Sequence, residues 1–208
     1  MEPYRIPTAP GEAEFQEKRS TFLGHVRPVE TEDEAKAFVA AMKKQYHDAR
    51  HNCWCYLLRG GVERYSDDGE PQGTAGIPML EVFRRAGVTN AVCVVTRYFG
   101  GILLGTGGLL RAYTKSAKDA LDAAGVSAVR RWVSVELPCS YALLERVKAA
   151  VAAADGVVSD LEYGADVVLR ALLPEECAEP FRVQVRDLSA GAVEVTVTGE
   201  ALRAVPVR

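Results

Sequence analysis

Two α+β domains in tandem are what this sequence predicts, from three observations. The segment Val92–Thr96 is apolar on both faces, as a central strand covered on two sides must be. A turn dense in glycine follows it, and a long amphipathic pattern follows the turn. From Val129 onward the order of patterns is β, α, β, β, α, β. The expected division is residues 1–128 and 129–208, with the boundary near Gly125–Arg130.

In the first domain, Tyr4–Thr8, Ala13–Lys18 and Thr21–Pro28 read as short strands, broken by Pro10, Gly11 and a polar turn. Thr31-Glu32-Asp33-Glu34 is a capping box for a helix to about Gln45, with Ala35, Phe38, Val39 and Met42 on one face. Asn52–Leu58 and Val62–Ser66 flank Gly60-Gly61, a pair suited to a type I′ hairpin turn. Residues 67–76, DDGEPQGTAG, form a loop, and Pro78 sits in the first turn of a short helix ending at Gly87. In the second domain Val129–Pro138 is a strand, and Ser140 caps a helix to Ala154 with Leu143, Leu144, Val147 and Val151 inward. Val157–Tyr163 and Ala165–Leu173 pair across Gly164, Glu175–Leu188 is a helix and Ala192–Gly199 the last strand. That βαββαβ order is the ferredoxin-like arrangement.

Bulk composition excludes several classes. Hydrophobic residues make up 48% and charged residues 25% of the 208, the profile of a water-soluble globular chain. No apolar run reaches the ~18 residues of a bilayer span, and the N-terminus lacks a signal-peptide core. Five cysteines at no framework spacing fit a reduced compartment, so a cytoplasmic location is expected and no membrane partner. Residues 1–128 carry sixteen basic and sixteen acidic side chains, and the remainder nine against twelve. Any nucleic acid must therefore be met by a local patch rather than the overall field.

The chemistry concentrates between Asn90 and Gly125. Gly100, Gly101, Gly105, Gly107 and Gly108 crowd the turn, and Arg97, Arg111 and Lys115 flank it. A helix opening after such a loop offers unpaired N–H groups and a positive dipole end to an anion. Arg111 and Lys115, four apart, share a helix face near that opening, where cations oppose the dipole unless an anion is present. The alternative is a connection so tight that only glycine fits. No nucleotide motif matches: Thr106 follows Gly105 where Walker A needs Lys, and Leu109-Leu110 occupy the place of the dinucleotide fingerprint's third glycine. Tyr98 and Phe99, at the strand end beside the glycines, are candidates for stacking on bases.

Other clusters carry less. Asp67, Asp68 and Glu70 lack the spacing of a calcium loop, and pairing with Arg97 or Arg111 to fix the glycine turn is a second role for them. His51, Cys53 and Cys55 resemble metal ligands. Alternate strand residues lie ~6.6 Å apart, whereas two ligands of one tetrahedral zinc lie under ~4 Å apart. Cys53 and Cys55 are therefore read as small buried hydrophobes. No catalytic residue, metal site or cofactor is expected.

The runs HNC and YSDDGEPQGTAG between His51 and Gly76, with TRYFGGILLGTGGLLRAY between Thr96 and Tyr113, resemble the signature of the YigZ/IMPACT family. The resemblance implies for residues 1–128 an IMPACT-type domain with the βα fold of the second domain of small-subunit ribosomal protein five and the fourth domain of elongation factor G. For residues 129–208 it implies a ferredoxin-like domain similar to the fifth domain of that factor. Eukaryotic members are linked to translational control under amino-acid starvation, a particular role that does not carry over to this chain. The glycine–arginine cluster with the implied fold points to a non-enzymatic, translation-associated regulatory factor, with stress response as its expected setting. RNA or the ribosome is the expected partner, with a protein partner in translational control beside it and no DNA specificity. Arg97, Tyr98, Phe99, Gly100, Gly101, Gly105, Thr106, Gly107, Gly108, Arg111 and Lys115 form the expected anion or nucleic-acid site, supported by Asp67, Asp68 and Glu70. The competing expectation is an enzyme on a nucleotide or phosphorylated small molecule, with Mg²⁺ on the acidic loop.

Overall fold

The computed structural model describes residues 3–207, which form two compact α+β units. One comprises Tyr4–Val129 with a return of residues 204–207, the other Arg130–Arg203 with Pro3. In the first, β2 (Gly11–Glu17), β3 (Ser20–Pro28), β4 (His51–Leu58), β5 (Val62–Ser66) and β6 (Ala91–Tyr98) build an antiparallel sheet in the order β2-β3-β6-β4-β5. The all-apolar strand is central, as its composition requires.

Helix α1 (Glu32–Gln45) covers one sheet face, burying Ala35 and Val39 against Tyr56, Leu58, Val92 and Val94. Its N-cap is Thr31, whose hydroxyl accepts from the Glu34 amide at 3.2 Å, while Glu34 returns a carboxylate to the Glu30 amide at 2.8 Å. The other face carries α2 (Gly76–Ala86) and α3 (Thr106–Ala124), which bury Met79, Phe83, Leu109, Tyr113 and Ala117 against Phe22, Cys53, Cys55, Cys93 and Val95. Strand β1 (Tyr4–Pro7) lies outside this sheet and pairs with Val126–Val129.

The helix-to-strand junction differs from the expected one. Strand β7 (Val126–Cys139) starts as soon as Gly125 ends α3, three residues before the expected Val129. The early residues of β7 are drawn into the strand by their pairing with β1, a non-local contact that local patterning does not carry.

In the second unit β7, α4 (Tyr141–Ala153), β8 (Val157–Tyr163), β9 (Val167–Pro174), α5 (Glu175–Leu188) and β10 (Thr196–Pro206) give the βαββαβ order. Strand β9 pairs antiparallel with β7 and β8, and β10 pairs with β7, the 4-1-3-2 order of a ferredoxin-like sheet. Phe181, Val185, Val147 and Val151 fill the core against Leu137, Leu169 and Leu173. The last strand starts later than the expected Ala192. Val193 and Val195 are buried in irregular backbone after the positive-φ turn Ala190-Gly191, and apolar spacing alone cannot tell such a segment from a strand.

Candidate functional site: the glycine loop and its acidic neighbour

Strand β6 delivers Arg97 to its end, and the structure corrects the expectation for this residue. Its side chain is 6% exposed and cannot grip a surface ligand. One guanidinium nitrogen donates to Glu70 Oε1 at 2.6 Å and another to Ser20 Oγ at 3.3 Å. Glu70, equally buried, also accepts from the Tyr113 hydroxyl at 2.8 Å. The acidic loop is therefore paired with Arg97 at the end of β6, where the glycine turn begins. Tyr113 is held protonated well above the usual phenol range by burial and by the nearby Cys53, Glu70 and their hydrogen bonds.

The other two carboxylates are also engaged. Asp67 accepts at Oδ1 from the amides of Ala75 (3.0 Å) and Gly76 (2.8 Å), and at Oδ2 from Gly73 (2.8 Å), which satisfies the opening of α2. Asp68 accepts from the Asn52 amide at 2.8 Å and from Lys43 at 2.5 Å, and its carbonyl from His51 Nδ1 at 2.9 Å. Each carboxylate points to a different protein partner. Among the described residues no three acidic, His or Cys side chains converge as a metal site would demand.

Below this loop lie Cys53 and Cys55, both fully buried. Cys53 Sγ donates to the Asp67 carbonyl at 3.0 Å, and burial pushes both thiols up, away from the thiolate a nucleophile needs.

The glycine loop is the opposite case. Gly101, Gly105, Thr106, Gly107, Leu103 and Arg111 are exposed, Leu103 by 82%. Gly105 takes φ +73 at the position before α3, and no side chain caps the helix there. No acidic residue stands in its first turn, so the amides and dipole of this end face solvent uncompensated. A guanidinium nitrogen of Arg111 lies 3.7 Å from where a Gly107 Cβ would stand, over the first turn of the helix. Lys115 pairs with Asp119 and rests 5.0 Å above the Phe15 ring.

The aromatic pair divides. Tyr98 is half-buried and donates its hydroxyl to Asp48 at 2.8 Å; burial and Asp48 raise its pKa. Phe99 is 40% exposed, beside the Arg97 guanidinium at 5.4 Å. Gly100 is explained by contact rather than by a ligand: a Cβ there would sit 2.0 Å from the Arg19 carbonyl carbon. Of the predicted residues, the structure thus brings Gly105, Thr106, Gly107, Gly108, Arg111 and Lys115 together at one surface, with Phe99 still open to solvent. Arg97 and Glu70 are buried, while Asp67 and Asp68 are half-buried and bonded to protein donors. Ser20, which accepts from both Gly100 N and Arg97, carries no signal in the sequence, because a lone serine at a strand start is common.

Residues 18–121 match the Impact N-terminal domain, and residues 137–192 match a domain of unknown function (DUF1949). The chain belongs to the IMPACT family. It is 35% identical to the IMPACT family member YigZ of Escherichia coli over 96% of this chain and 100% of that one. To YvyE of Bacillus subtilis it is 34% identical, covering 89% and 86%. Rat Protein IMPACT is 35% identical over 48% of this chain and 32% of its own length. A solved structure described as "Crystal structure of an hypothetical protein" superposes with a TM-score of 0.60 at 34% identity, covering 96% and 98%. The family resemblance read from the motif runs is thereby established, and with it the two-domain α+β fold.

Proposed function

We propose that this protein is a non-enzymatic, translation-associated factor that binds RNA or the ribosome through the opening of α3. The observation that carries this reading is the contrast at that helix end. Its amides are uncapped, its first turn has no acid, and Arg111 lies over it with Lys115 one turn on. Phosphate is the common biological group that satisfies amide donors, dipole and guanidinium together. Membership of the IMPACT family, whose fold is expected to be shared with ribosomal-protein and elongation-factor domains, supports RNA as its bearer. Exposed Phe99 supplies a face for a base beside the phosphate site. The engagement of Asp67, Asp68 and Glu70 by protein donors weighs against an Mg²⁺-dependent enzyme at the same loop.

The test is RNA binding by fluorescence anisotropy across salt concentrations, with the double variant Arg111→Ala/Lys115→Ala. Both residues are surface-exposed, so folding should survive. Affinity should fall and the salt slope should flatten, because fewer counterions are released. A variant that binds oligouridylate and ribosomal subunits as the parent does would defeat the proposal.

A further inference from the structure

The hairpin between β2 and β3 turns at Lys18 and Arg19, with Glu17 paired to Ser20 across it. Both turn residues have positive φ, 45° and 66°. A two-residue type I′ turn demands this, and Asn-Gly or Asp-Gly meets the demand with the least steric cost. Two long, exposed cations meet it here instead. For folding alone this is a poor choice of residues.

Their surroundings suggest what the choice serves. A cleft of about 200 Å³ is lined by Phe15, Glu17, Lys18, Leu104, Arg111 and Lys115. Arg19 is held next to it, since Gly100 seats directly on the Arg19 backbone. Ser20 Oγ accepts from the Gly100 amide at 3.2 Å and from buried Arg97 at 3.3 Å. The hairpin tip and the start of the glycine loop are therefore in direct contact, and Arg97, bonded to Ser20, acts as the positioning residue there. Four cations stand here against two carboxylates, Glu17 and Asp119. Asp119 is taken by Lys115, and among the described residues no ion pair engages Lys18, Arg19 or Arg111.

We propose that the Lys18-Arg19 tip is a second phosphate-contacting wall, which grips a single strand of RNA together with Arg111 and Lys115. This rests on the reading that the glycine-loop face binds RNA. A cleft of this volume has room for a phosphate and its sugar but not for a duplex, and its floor of Phe15 and Leu104 takes an apolar face. Backbone gripping of this kind is independent of base sequence.

The test uses the full chain with the double variant Lys18→Asn/Arg19→Gly, which gives the turn the residues it prefers. Its melting temperature should equal or exceed that of the parent. Its affinity for labelled oligouridylate should drop about tenfold, with the salt slope lower by about 1.4, roughly 0.7 for each lost contact on a single strand. The Lys18→Gln/Arg19→Gln variant, which keeps long side chains in the turn, should lose affinity to the same degree. If both hairpin variants bind like the parent while Arg111→Ala/Lys115→Ala binds weakly, the hairpin wall is overturned and the RNA reading stands. If the unmodified protein does not bind oligouridylate at all, both fall together.

Discussion

Helices α2 and α3 lie side by side on one sheet face, and each opens from a glycine-containing loop, yet their first turns are in opposite states. At α2 the carboxylate of Asp67 gathers three amides, and the loop around it is tied to α1, β4 and β6 through Asp68, His51 and Glu70. At α3 no side chain caps the helix, no acid stands in the first turn, and among the described residues no ion pair or hydrogen bond engages the Arg111 side chain. A helix end buried in its own loop has its donors satisfied by the protein. One left open beside cations has its donors satisfied by water and gains stability when an anion binds. The two loops of this chain thus differ in state, one closed by its own carboxylates and one open, and the Arg97–Glu70 pair links the first to the strand that leads into the second.

The largest expected effect comes from breaking that join. Glu70→Ala leaves Arg97 charged and buried without its partner, and urea denaturation should register a loss of about 3–5 kcal/mol. A stability change within the error of the measurement would mean that the pair is dispensable and the two loops are independently held.

Alkaline pH should attack the same join. Cys53 donates to the Asp67 carbonyl and Tyr113 to Glu70, and burial raises both pKa values, as it does that of Cys55. The folded protein keeps these protons where the unfolded chain releases them, so stability is full below roughly pH 8.5 for the thiols and 10 for the phenol. Above those values it should fall by about 1.4 kcal/mol per pH unit for each group. Thermal melts from pH 7 to 11 would check this, and a flat profile would contradict the buried, protonated state of the three groups.

Smaller effects separate the two helix openings. Asp67→Ala removes the α2 cap and should cost about 1–2 kcal/mol in chemical denaturation. Thr106→Glu supplies α3 with the acid it lacks. It should raise stability by about 0.5 kcal/mol while weakening oligouridylate binding, since the new carboxylate competes for the site. If Thr106→Glu were neutral for binding, the open end of α3 would not be the contact surface.

Much of the fold was legible because its signals are local. The capping box at Thr31, the βαββαβ succession and the doubly apolar run at Val92–Thr96 each express a short-range period that the observed elements share. The hairpins show where such reading stops. Gly60-Gly61 suggested a two-residue turn, but Leu58 pairs with Val62 and the loop has three residues. The two-residue turn with paired positive φ falls instead at Lys18-Arg19, where neither residue signals it.

At the site, the sequence by itself determined which residues gather: the glycines, the flanking cations and an acidic loop able to hold them. Which cations stay in solvent was decided only by the tertiary structure. Arg97 and Arg111 are equally charged in the chain, but strand β6 carries one inward to Glu70 and helix α3 carries the other outward. Burial and pairing arise from contacts between residues far apart along the chain, and no local pattern of residue types records them.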